Sequence, residues 1–394
     1  MARLTVVCMP GDGIGPIVLP EALRVLDAVG FEADYVQAEV GWECWRTRGE
    51  PLPARTLELL ETWRLGLFGA ATSKPMDQAE SELPPELQGR GLTYYSPSVA
   101  IRQAFDLDVA IRPCRSFPGN PLNFIRRAAD GSVEEPRVDV VVFRQNTEGL
   151  YSGVEWTHPP PQVRAALDTH RRMVRFRYIP SEDMALSCRI FTRPACLRIA
   201  EAAFRYADEH GYPSVTCCEK PNIVRETSGM LLAACREVQR AFPHVDLWAT
   251  NIDTMTMWLT KNPEDYGVIV SGNVFGDILS DAFAGLVGGL GFAPSASIGA
   301  RCAIFEPTHG SAPKYAGYEV PIVNPVAMIL AGAMLLDHVG ERERARRIHR
   351  AVARVVADAR VRTCDMLRLR ASPEVLGQGA ASTREMTDAV IQAL

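Results

Sequence analysis

RLTVVCMPGDGIGP (residues 3–16) and GVIVSGNVFGDILSD (residues 267–281) are the two stretches whose reading decides the fold. Each begins with a short, β-branched apolar run, passes through a glycine-containing turn and continues in a helical pattern. A run of that kind bounded by turn residues fits a strand buried on both faces. The first run predicts a helix from about residue 17 to 29, and the second a helix beginning near Gly276. Three more apolar runs read as strands: LGLFGAA at 65–71, VDVVVF at 138–143 and SVTCC at 214–218, the last placing Cys217 and Cys218 in packing. Helical patterns occupy about 185–211, and two more lie within 325–357. Strands alternating with helices predict an α/β fold with a central sheet. At 394 residues, two α/β units are expected rather than one.

Two segments stand outside that alternation. Residues 73–91 are polar and rich in Pro and Glu, which predicts an exposed, lid-like loop. Residues 157–180 break at prolines and read as an excursion from the main body, suited to a dimer arm.

Composition narrows the function classes. The formal net charge is −5 with both signs interspersed, so no nucleic-acid partner is expected. Arg342, Arg344, Arg346, Arg347 and Arg350 are interrupted by acids and apolar residues, as on the solvated face of a helix. None of the ten cysteines forms a CxxC pair, so neither a zinc site nor a redox motif is predicted. No apolar run approaches the roughly 20 residues that span a bilayer, so no membrane is expected. The N-terminus runs straight into a strand, which points to the cytoplasm.

Two motifs carry chemistry. In Gly11-Asp12-Gly13-Ile14-Gly15-Pro16 the third glycine comes one residue early for the dinucleotide fingerprint, so a Rossmann fold is not predicted and the motif reads as a tight turn. Asp277 and Asp281 lie at i and i+4 on one helix face. Two such carboxylates suit a hard cation such as Mg²⁺ or Mn²⁺, or are helix N-terminal acids favoured by the dipole. Asp253, in TNIDTM, offers a third carboxylate.

With these residues FEPTHGSAP (305–313), GNVFGDILSD (272–281), RQNTEGLY (144–151) and the opening PGDGIGP, the sequence resembles the β-decarboxylating dehydrogenases, which act on isocitrate, homoisocitrate and isopropylmalate. The resemblance covers nearly the whole chain. It implies that family's fold, with a larger α/β subdomain from 1–115 and 285–394 holding the cofactor and a smaller one from 116–284 with the arm and the metal site. It implies Lys220 and Tyr151 as the proton-transfer groups, and Asp253, Asp277 and Asp281 as ligands of Mg²⁺ or Mn²⁺. Lys220 closely follows a buried strand, where desolvation and a nearby cation favour the neutral amine. Arg102, Arg112 and Arg144 match the substrate-carboxylate clamps, since guanidinium forks fix a carboxylate's plane with paired bonds. Thr72, Asn222, His309, Gly310, Lys314, Tyr315, Asn324 and Arg368 fall at cofactor positions. NAD-preferring members carry Asp where this chain has Lys314, and a cation there attracts a 2′-phosphate, so NADP is expected. Cys364 replaces a tyrosine and removes one hydrogen bond. Lys220 and Asp253 would arrive from a partner subunit, so a homodimer is expected.

Substrate choice is implied by the residues before Arg102. Ser96 matches the isocitrate enzymes, but Ser98 stands where those carry Asn and the isopropylmalate enzymes carry Leu. An unpaired hydroxyl against an isopropyl group costs affinity. A malate with a second acidic group on C3 therefore fits: isocitrate, homoisocitrate or 3-phosphonomethylmalate, whose oxygens suit the hydroxyls of Tyr95, Ser96 and Ser98. Gln145 and Ile17 each replace an acidic residue of the family. A non-catalytic regulatory subunit is the rival of another class, and it would be expected to lose Lys220, Tyr151 or a metal aspartate.

Overall fold

The computed structural model describes residues 3–394. Its strands are β1 (Leu4–Gly11), β2 (Ala33–Gln37), β3 (Leu65–Ala70), β4 (Val109–Arg115), β5 (Arg126–Arg127), β6 (Val133–Glu134), β7 (Asp139–Gln145), β8 (Glu155–Trp156), β9 (Leu186–Ser187), β10 (Ser214–Glu219), β11 (Asp246–Asn251), β12 (Val268–Ser271), β13 (Pro294–Ile298) and β14 (Ala303–Pro307). Ten of them form one sheet in the order β11-β10-β12-β7-β4-β13-β14-β3-β1-β2. The block β2-β1-β3-β14 is parallel, and so is β7-β12-β10-β11. Antiparallel pairings of β14 with β13, β13 with β4 and β4 with β7 join the blocks, so the two run in opposite directions. This is the mixed α/β architecture expected, without the single parallel run of a Rossmann sheet.

Strands β1, β3, β7, β10 and β12 are almost wholly buried, as their continuous apolar runs require. The Val326–His338 helix is apolar all round and sits inside the larger core, against the Gly15–Ala28 and Arg342–Asp358 helices. Ala345, Ile348, Val352 and Val356 turn inward from the Arg342–Asp358 helix, leaving its arginines on the solvated face. A second core joins the Arg193–His210 and Arg225–Gln239 helices to β7, β10 and β12.

Three boundaries differ from expectation. The helix predicted over 185–211 starts only at Arg193, because the Thr192 hydroxyl caps it at Ala195 N and Pro194 favours its first turn. Residues ahead of it pair instead with the chain near Tyr151, through the β8–β9 ladder and the Gly149–Ile190 bridge. The helix predicted from Gly276 begins at Asn273. Residues 73–91 are not simply an exposed loop. They contain the Met76–Ser81 helix, and Ala79 and Leu83 are buried against Trp42 and Trp45. Trp45 Nε1 donates to Ala79 O (2.8 Å), and Trp42 Nε1 donates to Glu82 Oε2 (2.7 Å). Within 157–180, one helix (Pro161–Asp168) precedes an outward stretch that exposes Val174, Phe176 and Tyr178. No described helix is long and apolar enough to cross a membrane.

Candidate active site

The antiparallel seam of the sheet carries two buried arginines side by side. Arg112 projects from β4 and Arg144 from β7, where Ala110 pairs with Arg144 and Arg112 with Val142. Both reach the Asn273–Leu286 helix. Arg144, 1% exposed, donates through Nε and Nη2 to Asn273 Oδ1 (2.9 and 2.7 Å) and through Nη1 to Asp277. Arg112 Nη1 donates to Asp277 Oδ1 (2.9 Å) and Ser280 Oγ (2.8 Å) and lies 3.6 Å from Asp281. Its Nε is buried without a partner. Gly276 lets the helix come this close: a Cβ there would stand 2.8 Å from that of Arg144.

Arg102, on the Pro97–Ala104 helix, donates to Glu306 Oε1 (2.9 Å), and Ser297 Oγ donates to the same oxygen (3.3 Å). Ser98, one helical turn earlier, faces the same gap of about 10 Å³ as Arg102, Ser297 and Glu306. Ser96 is the N-cap residue of that helix, its side chain making no capping bond. Tyr95 is exposed.

Tyr151 OH donates to Asp277 Oδ2 (2.9 Å), and its ring lies 5.3 Å from the Arg144 guanidinium. Gln145, 2% exposed, shapes the turn towards it: Oε1 accepts from Thr147 N (3.2 Å) and Glu148 N (2.7 Å). That is a structural use for a residue that departs from the family's acid.

Electrostatics follow burial and neighbours. Burial, then Arg112, pulls Arg144 below its ordinary value, while Asp277 pulls it back up; a guanidinium so paired stays charged. Burial pushes Asp277 up, but Arg144, Arg112 and the Tyr151 bond together hold it below the usual carboxylate range. Asp281 goes the other way, raised by burial and by Asp277 despite Arg112. Burial and Asp277 raise the Tyr151 phenol, so it holds its proton more firmly.

Lys220 and Asp253 lie apart from this cluster. Lys220 Nζ bonds Asp253, whose side chain is 64% exposed, and this ion pair holds Asp253 below the usual carboxylate range. Asn222 is exposed beside them. Among the described residues of one chain, no three His, Cys, Asp or Glu side chains converge as a metal site. Asp277 and Asp281 present oxygen donors of the kind a hard divalent cation takes.

Of the cofactor candidates, Thr72 lies in the turn after β3, and His309, Gly310, Lys314 and Tyr315 lie in the segment after β14. Thr72 Oγ1 and Ser311 Oγ are 2.6 Å apart, and Thr72 N donates to Asp12 Oδ2 (2.8 Å). His309 Nδ1 is 3.0 Å from Gly310 O, while Nε2 is buried without a partner. Burial lowers the pKa of this imidazole, so it stays neutral at physiological pH. A neutral ring with an orphaned nitrogen, beside an open Gly310, fits a nucleotide base edge. Lys314 lies over the Tyr315 ring at 4.7 Å and is exposed. Asn324 is buried, donating to Asp365 Oδ2 (3.0 Å) and accepting from Val326 N (3.0 Å). Arg368 is exposed, its Nη2 donating to Pro121 O (3.1 Å), and Cys364 is buried with Sγ 3.7 Å from Ile322 O.

Sequence reasoning passed over Asn273, Ser280, Glu306 and Asp12. The first three lie within or beside quoted motifs, but their partners are arginines far away in the chain. Asp12 was read only as part of a turn. Its carboxylate accepts from the backbone N–H of Trp42 (2.7 Å), Glu43 (3.3 Å) and Thr72 (2.8 Å).

Comparison with known proteins adds independent findings. Residues 5–390 match the family described as isocitrate/isopropylmalate dehydrogenase. Protein DlpA of Legionella pneumophila is 34% identical over 99% of this chain, which spans 58% of that longer protein. The isocitrate/homoisocitrate dehydrogenase of Thermus thermophilus is 37% identical, covering 98% of this chain and 96% of its own length. The crystal structure of isocitrate dehydrogenase from Methylococcus capsulatus superposes with a TM-score of 0.81 at 33% identity, over 99% of both chains.

Proposed function

The chain belongs to the isocitrate/isopropylmalate dehydrogenase family, and we propose that it is an NADP-dependent dehydrogenase that oxidises and decarboxylates a 3-substituted malate bearing a second acidic group. The observation that carries this reading is the arginine cluster. Arg112 and Arg144 share Asp277, and the charge of Arg102 is also felt at Arg144. Buried like charges so close need an anion to settle them, and a substrate carboxylate is a natural second anion for their forks.

Arg102, Arg112 and Arg144 bind and orient the substrate's carboxylates. Lys220 of the partner subunit would take the C2 hydroxyl proton, with a bound nicotinamide supplying the hydride acceptor. The resulting β-keto acid loses carbon dioxide, and Tyr151 delivers a proton to C3. Its raised pKa keeps it protonated at neutral pH, and its bond to Asp277 positions it. Asp277 and Asp281, with a partner's Asp253, are the proposed holders of Mg²⁺ or Mn²⁺, which when bound supplies Lewis-acid stabilisation of developing negative charge. Thr72, Asn222, His309, Gly310, Lys314, Tyr315, Asn324 and Arg368 are the proposed cofactor contacts, with Lys314 favouring a 2′-phosphate. The division into 1–115 with 285–394, and 116–284, follows the two parallel blocks of the sheet. A homodimer is supported by Trp248 on edge strand β11 and by exposed Met257 and Trp258 on the Ile252–Trp258 helix that packs beside it. A cytoplasmic setting accords with ten free cysteines.

The test is reduction of NADP⁺ and NAD⁺ by the purified chain with Mg²⁺, against isocitrate, homoisocitrate, isopropylmalate and 3-phosphonomethylmalate in parallel. Turnover of one acidic substrate with NADP⁺ is expected. Preference for isopropylmalate would remove the polar-pocket reading, and preference for NAD⁺ would remove the role of Lys314. No turnover with any of them would favour a non-catalytic subunit.

A further inference from the structure

We infer that the buried ion pair Arg189–Glu219 is a positioning unit that sets both proton-transfer groups, Lys220 and Tyr151; the inference rests on the function proposed above.

Glu219 closes β10, immediately before Lys220, and is 1% exposed. A carboxylate in that setting is tolerable only when its oxygens are satisfied. Arg189 Nη2 (2.8 Å) and Ser228 Oγ (2.7 Å) donate to Oε2, and the backbone N–H of Gly272 (2.8 Å) donates to Oε1. Ser228 Oγ also lies 3.4 Å from Lys220 N, so the hydroxyl bridges the carboxylate and the lysine's own backbone. Gly272 is the residue from which the helix carrying Asn273 and Asp277 springs. A Cβ on Gly272 would fall 2.5 Å from Glu219 Oε1 and 2.6 Å from the Phe191 ring, so the approach is already at contact.

The arginine end of the pair leads to Tyr151. The Arg189 guanidinium lies 4.4 Å from the Phe191 ring and 5.1 Å from the Phe275 ring, and Nη1 donates to Thr227 Oγ1 (2.8 Å). Stacked and forked in this way it has little freedom. The backbone beside it holds the tyrosine's loop. Gly149 N donates to Ile190 O (2.8 Å), Cys188 N donates to Val154 O (2.9 Å), and Glu148 accepts from Thr192 N (2.8 Å). One carboxylate–guanidinium pair thus ties together the Lys220 turn, the start of the acidic helix and the Tyr151 loop. The pair makes no hydrogen bond to Arg102, Arg112 or Arg144 itself; it reaches Arg112 and Arg144 only through the helix that starts at Gly272.

Glu219→Gln keeps the shape but sets an amide donor against Arg189 or Gly272 N. A misplacement of ~1 Å at a reacting group costs about 100-fold, so kcat should fall by about 10- to 100-fold, with the substrate KM within about 3-fold. The primary isotope effect with C2-deuterated substrate should rise. Solvent-deuterium exchange at C3 of the 2-oxo product, which reports the Tyr151 step and not the Lys220 step, should slow alongside. Arg189→Lys, which keeps the charge, should recover part of both rates. Ser228→Ala, a milder change that removes one bond, should move both rates the same way should the glutamine variant fail to fold. Independently of turnover, backbone amides of 149–152 and 220–224 should exchange with solvent faster in these variants. Wild-type rates and unchanged exchange would overturn the inference, as would slowing of the hydride step with C3 exchange untouched. Absence of turnover in the wild type would sink the proposed function, leaving amide exchange to decide this one.

Discussion

Two strand-to-helix turns in this molecule look alike in sequence and do opposite things. One leaves β1 through Gly11-Asp12-Gly13, and the other leaves β12 through Gly272-Asn273 towards Asp277. Asp12 spends its carboxylate on three backbone N–H groups from two other segments. Asp277 spends its own on side chains: Arg112, Arg144 and Tyr151. Backbone partners are fixed by the fold and cannot be exchanged. Side-chain partners can be handed over to a ligand that offers better ones. A carboxylate held by amides is therefore architecture, and one held by movable cations and a phenol is available for chemistry.

The glycines repeat the contrast. A Cβ on Gly13, at φ +58, would lie 2.0 Å from the carbonyl oxygen of Ser311, a backbone atom that cannot move aside. At Gly276 the nearest atoms are Cβ, Cγ and Cα of Arg144, so substitution there would press on the strand position that carries a functional group.

The largest effect expected is on turnover, at the proton-transfer groups that the second turn's helix serves or neighbours. Tyr151→Phe and Lys220→Ala should each lower kcat by about 10²–10⁴-fold while the thermal midpoint barely moves, because both side chains are partly exposed. A matching collapse in stability would erase the distinction between the turns. Asp12→Ala should do the reverse. It strands the buried N–H of Trp42 at ~1–3 kcal/mol and the half-buried ones of Glu43 and Thr72 at less, so chemical denaturation should show a loss of about 2–4 kcal/mol, with kcat per folded molecule nearly kept.

Mg²⁺ sharpens the comparison further. Binding to the folded state alone stabilises by ~2.7 kcal/mol at 100 times Kd, so Mg²⁺ should raise the wild-type midpoint and leave Asp277→Asn unmoved. An equal rise in both would place the cation elsewhere.

The smallest effect is the pH dependence of Asp12. Burial raises its carboxyl pKa more than the bonds from Thr72, Trp42 and Glu43 lower it. The folded protein therefore binds that proton more readily than the unfolded chain does. Stability from this group is complete below the unfolded value of ~3.9 and is lost as pH rises through the folded value. The stability gap between wild type and Asp12→Ala should narrow between pH 4 and 7. A widening gap would mean that the amide bonds outweigh burial.

Much of the sheet could be read from the chain because strands buried on both faces leave unbroken apolar runs, as in VDVVVF and GVIVS. The start of the Arg193–His210 helix was placed too early because the competing partner of residues 186–190 lies at 149–156, beyond any local window. The anchoring of 73–91 escapes the sequence for the same reason: its polar composition is plain, but Trp45 and Trp42 lie 34 and 40 residues before their partners Ala79 and Glu82. At the site, the spacing of Asp277 and Asp281 was legible as a shared helix face. That Asp253 would serve a partner's site was expected only through family resemblance, and its bond to Lys220 was legible in neither the spacing nor the resemblance.

The sequence by itself determined the alternation of strands and helices, the absence of a dinucleotide fingerprint, the family and the residue types available for chemistry. These depend on local period, on glycine spacing and on motif order, all of which a linear chain records. Only the tertiary structure decided how each carboxylate is satisfied: Asp12 by amides, Glu219 by a stacked arginine and a helix start, Asp277 by two arginines and a tyrosine. Burial makes every such charge find a partner, and that partner can come from anywhere in the chain.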